Sequence, residues 1–158
     1  MNQQANSGSN PFRWMSEKLG SLFRDEPLDP KDEVFVSVLF SLLGSLARAD
    51  GVVTAEEADH GEDMIDRMQL SKGGRKLAVA SFDRGRAGGL DVEGEIDRFL
   101  DVYPISSTHS EQLLEALLEL ARADGRVRIP EKSWLTRVGT RMGVDANALK
   151  SRIDAAST

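Results

Sequence analysis

The chain is 158 residues long, contains no cysteine, and balances 20 Lys and Arg against 26 Asp and Glu for a formal net charge of −6. Disulfides, thiolate nucleophiles and Cys-ligated zinc are therefore excluded. The acidic balance argues against non-specific nucleic-acid binding, which needs basic surface to displace counterions, and the length suits one domain that can bury a proper core.

Met1–Asn10 is polar and rich in Ser, Asn and Gln. It has neither the basic start nor the apolar block of a signal peptide and reads as a disordered tail. In the amphipathic segment that follows, Phe12, Met15, Leu19, Leu22 and Phe23 share one helical face. Trp14 sits off that stripe, and Arg13, Lys18 and Arg24 lie around it. Asp25–Asp32 holds Pro27 and Pro30 and reads as a linker. Residues 11–32 are thus an amphipathic helix and linker, and the core domain occupies residues 33–158.

Glu33–Ala49 is apolar nearly all round, the pattern of a helix buried on most sides. Its apolar stretch is interrupted by Ser37, Ser41, Gly44 and Ser45 and is shorter than the ~20 residues that cross a bilayer, so it reads as the central helix of a bundle. Gly51 stands where a left-handed residue would cap that helix. Thr54-Ala-Glu-Glu57 has the form of a capping box. The next helix turns Met64, Ile65 and Met68 inward and Glu56, Asp59, Glu62, Asp63 and Asp66 outward.

Ser71 starts a helix running to about Arg84, with Gly85, Gly88 and Gly89 breaking it. Asp91–Tyr103 places Ile96, Phe99, Leu100 and Tyr103 at helical spacing, and Pro104 ends it. One of Ser106, Ser107 and Thr108 caps the helix Ser110–Ala123. Pro130 suits the first turn of a helix ending near Gly143, and Asp145 caps a last helix to about Ala155. The fold class predicted is all-α: a pseudo-two-fold bundle of about seven helices with an extra N-terminal amphipathic helix.

The string Ala-Arg-Ala-Asp-Gly occurs at Ala47–Gly51 and again at Ala121–Gly125, 74 residues later. Without a gap, Leu39 answers to Leu113, Leu46 to Leu120, Val53 to Val127, Glu57 to Glu131 and Met68 to Met142. A duplicated helix–loop–helix unit is the simplest source of that register. Each loop overlaps the second half of a calcium-binding EF-hand loop, with Asp50 at position five, the turn Gly at six and Glu57 at twelve. Positions one and three are Leu46 and Arg48, and Leu120 and Arg122 in the second copy, so neither loop alone is expected to hold calcium tightly.

Two readings of the loops stand side by side. In one, Asp-Gly and the capping-box Glu do no more than end and start helices. In the other, Asp50, Glu57, Asp124 and Glu131 pool four carboxylates across the pseudo-two-fold into one site for a divalent cation or a basic partner. Arg128 stands where the first copy has Thr54, so the second copy keeps the carboxylate and loses the hydroxyl.

A Leu-rich helix ending in Ala-Arg-Ala-Asp-Gly-x-Val, followed by Glu and repeated once, resembles the tellurite-resistance TerB family. It is most similar to the TerB-like domain of the DjlA type of membrane-anchored J-domain co-chaperone. Ile65-Asp-Arg-Met-Gln-Leu70 resembles the block that ends the first acidic helix there, and Phe82 and Gly85 follow in order. The resemblance covers about Glu33–Ala155. It implies a pseudo-symmetric helical domain serving stress responses as a binding or regulatory module, with acidic residues at Asp50, Glu57, Asp124 and Glu131. The J-domain tripeptide His-Pro-Asp is absent, since His60 precedes Gly61 and His109 precedes Ser110. Direct stimulation of a chaperone ATPase is therefore not expected. The amphipathic segment stands where that co-chaperone has its transmembrane anchor.

No catalytic residue is assigned, because neither His sits in a recognisable motif and no carboxylate is marked as an acid or base. The basic cluster Lys72, Arg75, Lys76, Arg84 and Arg86 lacks phosphate-loop spacing. The functional expectation is a non-enzymatic module for bacterial stress response. Its two acidic loops would take a divalent cation or a basic protein partner, and no other cofactor is expected. The alternative is a peripheral membrane adaptor anchored by Phe12, Trp14, Met15, Leu19, Leu22 and Phe23. The location expected is cytoplasmic, or peripheral on the inner membrane.

Overall fold

A helix rich in Leu, Phe and Val on every face can be stable only if neighbours cover all of it. In the computed structural model, α1 (Pro30–Ala47) is such a helix, and Phe35, Val36, Val38, Leu39, Phe40, Leu42, Leu43 and Leu46 are all buried. The structure describes residues 23–24, 27–49, 55–122 and 127–156, without the side chains of residues 55–58, 60, 64, 67, 120 and 156. Among the described residues there is no strand. After α1 come α2 (Ala55–Met68), α3 (Lys72–Arg86), α4 (Val92–Val102), α5 (Thr108–Arg122), α6 (Ile129–Arg141) and α7 (Ala146–Ala156). Helices α3, α4, α5 and α6 all pack on α1, while α2 lies on α3 and α7 on α5 and α6.

The sequence repeat survives as a structural one. Ala55 to Ile129 and Lys72 to Ala146, the first residues of α2 and α6 and of α3 and α7, are both spacings of 74 residues. Helix α4 lies between the copies.

Most expected helix ends hold. Ser71 caps α3 by accepting from the Gly74 N–H at 3.1 Å. Asp91 accepts from Gly94 at 3.1 Å, and Ser107 is the residue that caps α5, accepting from Ser110 at 3.1 Å. Asp145 accepts from Asn147 and Ala148. At the end of α6 the Val144 N–H bonds to the Gly139 carbonyl and Gly143 to Thr140, with Gly143 at φ +87. That is the paired closure of a left-handed glycine cap.

Helices α1 and α3 differ from expectation at their ends. Helix α1 begins at Pro30 rather than Glu33, because Asp29 caps it by accepting from the Lys31 N–H at 2.8 Å and proline fits a first turn. It ends at Ala47 with Arg48 as its cap; Gly51 lies outside the described residues. Gly85 does not break α3, which runs on to Arg86. Gly85 is the point where α3 meets α1: a Cβ there would lie 2.0 Å from the Ser41 carbonyl oxygen. On the facing helix, a Cβ at Gly44 would lie 2.3 Å from the Phe82 carbonyl oxygen. The two backbones approach closely only because neither residue has a side chain. The Phe82 ring then seats α2, packing against Gly61.

At the far end of α1, Phe35, Phe99 and Tyr103 pack ring on ring, Phe35 edge-on to Tyr103 at 5.7 Å. The His109 ring stacks on Tyr103 at 4.4 Å. The Tyr103 hydroxyl donates to the Lys31 carbonyl at 2.8 Å. Burial, helped by the charges of Asp32 and Asp29, pushes its pKa up to about 12, which keeps the donor protonated.

One polar network joins α1, α3 and α4. Glu95 accepts from Arg84, Arg98 and the buried Ser41 hydroxyl, and Ser37 accepts from both arginines. Burial raises the Glu95 pKa, but the bonds from Arg84 and Arg98 outweigh it and hold the carboxyl below its ordinary 4.5. Its stabilising contribution is therefore present above that ordinary value and is lost as pH falls through the lowered one.

Gly85→Ala is expected to destabilise by about 3 kcal/mol, since the clash is with backbone that cannot turn aside. Gly73→Ala, whose Cβ would meet only Leu28 at 4.0 Å, should be neutral or slightly stabilising in urea denaturation. Equal effects would remove the α1–α3 contact as the reason for Gly85. Glu95→Gln should cost about 1–2 kcal/mol at neutral pH. Its deficit should shrink in urea titrations carried below the ordinary carboxylate value; a deficit constant with pH would assign the loss to packing.

Candidate functional site

The two repeated loops join α1 to α2 and α5 to α6. At the first, Leu46 is wholly in the core and the Arg48 guanidinium donates to the Arg86 carbonyl at 3.3 Å. That carbonyl belongs to the last turn of α3, where carbonyls lack intrahelical partners and a cation is favoured. The EF-hand positions one and three are thus committed to packing and to capping another helix. Asp50, Gly51 and Thr54 lie outside the described residues, as does the side chain of Glu57, whose backbone forms part of the first turn of α2.

At the second loop, Arg122 pairs with Glu119 within its own helix at 3.5 Å. Asp124 lies outside the described residues. Val127 is buried, as the inward packing of the two valines predicts; Val53 is outside the described set. Glu131 accepts from the Arg128 backbone N–H at 2.8 Å. This is the half of a capping box that needs no hydroxyl, so it survives the exchange of Thr for Arg. Of the four carboxylates singled out, Glu131 is therefore the one whose position is defined, and it braces its own helix.

Among the described residues no group of three or more His, Cys, Asp or Glu is arranged to hold a metal ion. The outward acids Asp59, Glu62, Asp63 and Asp66 of α2 are all exposed. Asp66 accepts from Arg75 at 2.7 and 2.9 Å. His109 is a packing residue of the aromatic cluster. Of the amphipathic stripe, Phe12, Met15, Leu19 and Leu22 lie outside the described residues together with Trp14, and Phe23 packs half-buried against the domain's own core. No described helix is long and apolar enough to cross a membrane.

Sequence reasoning missed the surface that the basic cluster makes. Arg84 and Arg86 are drawn into pairs with Glu95 and Asp83. Lys72, Arg75 and Lys76 instead line an open depression of about 460 Å³ with Val79, Ala80 and Asp83. The spacing of these residues along one face of a single helix was the available signal.

The chain matches the family described as tellurite resistance protein TerB over residues 37–152. It is similar to the co-chaperone protein DjlA of Vibrio parahaemolyticus, 30% identical over 127 residues, covering 78% of this chain and 43% of that protein. DjlA of Vibrio cholerae is 31% identical over the same shares. DjlA of Pasteurella multocida is 27% identical over 114 residues, 72% of this chain and 40% of that protein. The chain thus spans about two-fifths of the length of these curated relatives. No solved structure matches it significantly.

Glu131→Ala should cost about 0.5–1 kcal/mol by freeing an N-terminal donor of α6, and Glu131→Gln, which still offers a carbonyl, should cost less. Faster hydrogen exchange at the Arg128 amide in the alanine variant alone is the expected signature. Unchanged exchange and stability would show that the cap contributes nothing.

Proposed function

This chain belongs to the TerB family, and we propose that it works as a non-enzymatic binding or regulatory module whose working surface is the pair of Ala-Asp-Gly loops. The observation that carries this reading is the 74-residue register of the helices flanking the loops, which sets both at corresponding joints of a duplicated unit. Asp50, Glu57, Asp124 and Glu131 would supply hard oxygen ligands to a divalent cation, or carboxylates to a basic protein surface. Either ligand must draw on both loops. Leu46 sits in the core and the Arg48 guanidinium faces the Arg86 carbonyl, so the first loop lacks the remaining ligands of an EF-hand. The cap at Arg128 does not exhaust Glu131, because a carboxylate offers about four acceptor positions.

The relatives bear the name co-chaperone, and a partner from chaperone machinery, engaged during stress, is part of this proposal. With no His-Pro-Asp tripeptide among its residues, the domain is read as contributing recognition rather than ATPase stimulation. Localisation at the inner face of the membrane would come from the partner or from the N-terminal segment.

Calorimetric titration with calcium, magnesium, manganese and zinc tests the reading. The parent chain is expected to bind at least one of them. The Asp50→Ala/Asp124→Ala double variant should lose at least about tenfold in affinity while keeping its helical circular dichroism. Equal binding by parent and variant would remove the loops from the account. Vesicle co-sedimentation lost on deleting residues 1–25 would move the working surface to the amphipathic segment.

A further inference from the structure

The outer face of α3 carries an unusual charge arrangement. Its first turns hold Lys72, Arg75 and Lys76 and no acidic residue. Helices α1, α4, α5 and α6 each place at least one carboxylate there, while α7 has neither acid nor cation in its first turn. Cations at a helix N-terminus oppose the backbone dipole, so this placement costs the isolated domain stability. Arg75 is partly offset by Asp66, but Lys72 and Lys76 are exposed and make no ion pair with a described residue. Lys72, Arg75 and Lys76 line the depression of about 460 Å³ together with Val79, Ala80 and Asp83. Val79 is half-buried and Ala80 exposed, so an apolar patch is open to solvent beside two ammonium groups that pair with no described residue.

We propose that this depression is a docking site for an acidic segment of a partner protein, a peptide with carboxylates flanking an aliphatic side chain. The aliphatic group would cover Val79 and Ala80 while the carboxylates meet Lys72 and Lys76. Charge complementarity selects this occupant. A nucleic acid is disfavoured because Lys72, Arg75 and Lys76 occupy only the first turns of one helix, short of the stripe that tracks a phosphate backbone, and Arg84 and Arg86 further along it are paired with Glu95 and Asp83. A membrane surface is disfavoured because the large exposed apolar residues among those described are Ile105 and Ile129, neither of them on α3. The site differs from the acidic loops in charge and in place. Loop one meets α3 at its C-terminal carbonyls through Arg48, whereas Lys72 lies about 20 Å away at the other end of the helix. The domain would then engage partners of opposite charge at the two ends of one helix.

The test uses the full chain and a fluorescein-labelled peptide alternating paired glutamates with leucine, read by fluorescence anisotropy. Saturable binding is expected that weakens several-fold when salt rises from about 50 to about 300 mM. Binding should fall about tenfold for a peptide with Leu replaced by Gly, and about tenfold in Lys72→Glu/Lys76→Glu. Lys72→Ala/Lys76→Ala, with unchanged circular dichroism, should lose less and so guard against an effect of misfolding. The proposal is overturned if the peptide does not bind at millimolar concentration or if both double variants bind it as the parent does. It is equally overturned if anionic phosphatidylglycerol vesicles bind the parent and the peptide fails to compete. Failure here leaves the calorimetry of the acidic loops untouched.

Discussion

The approach of α3 to α1 through Gly85 and Gly44 fixes the positions of the parts around it. With no side chain between the two backbones, Arg84 of α3 comes within reach of Ser37 on α1, and Glu95 of α4 within reach of Ser41. The same approach sets the Arg86 carbonyl beside Arg48, so the exit of α1 into the first acidic loop is anchored to the end of α3. It also presents the Phe82 ring to Gly61, which seats α2 and with it the acidic outer face. A lone methyl group at either glycine would push against carbonyl oxygens, and main-chain atoms in packed helices have little room to yield.

The outer surface is organised by arginines that reach between helices. Arg137 to Glu93 and Arg141 to Asp97 are paired, two-bond contacts from α6 to α4. Arg152 of α7 holds Glu111 and Glu115 of α5. Hydrogen bonds from Arg137 and Arg141 keep the Glu93 and Asp97 carboxyls below their ordinary values. These side chains are largely exposed, so water screens each pair and the contacts serve chiefly to set helix orientation. Helix α4, which falls between the repeats, thereby bridges the two copies: its apolar face meets α1 and its charged face meets α6.

The helices were legible in the sequence because the signals that define them are local. Ser71, Asp91, Ser107 and Asp145 cap through bonds to residues two or three positions on, and such spacing can be read without knowing the fold. The all-round apolarity of α1 gave its central position for the same reason. What depends on a distant partner was not legible. Gly85 looks like a helix breaker in isolation and becomes a contact point only when Ser41 is opposite. Arg48 looks like a residue spoiling a cation loop and proves to cap α3. In the candidate site, the exchange of Thr54 for Arg128 reads as freeing the Glu131 carboxylate for a shared site, whereas Glu131 still accepts from the Arg128 N–H, the local half of a capping box.

The duplication is more faithful in register than in packing, and that difference bears on the loops. The second copy has buried Leu118 where the first has Gly44, so α5 offers no such notch for a following helix. It has Glu115 where the first has Ser41, and this residue faces Arg152 of α7 rather than a buried network. Helix α7 accordingly makes its close contact with α6 instead, Leu149 lying against Gly139. The arginine common to both loop motifs follows suit: Arg48 reaches across to α3, while Arg122 pairs with Glu119 on its own helix. Two loops that share Asp, Gly, Val and Glu at the same offsets are thus entered and left differently: Arg48 ties the residues before the first to α3, and Glu131 braces the helix after the second.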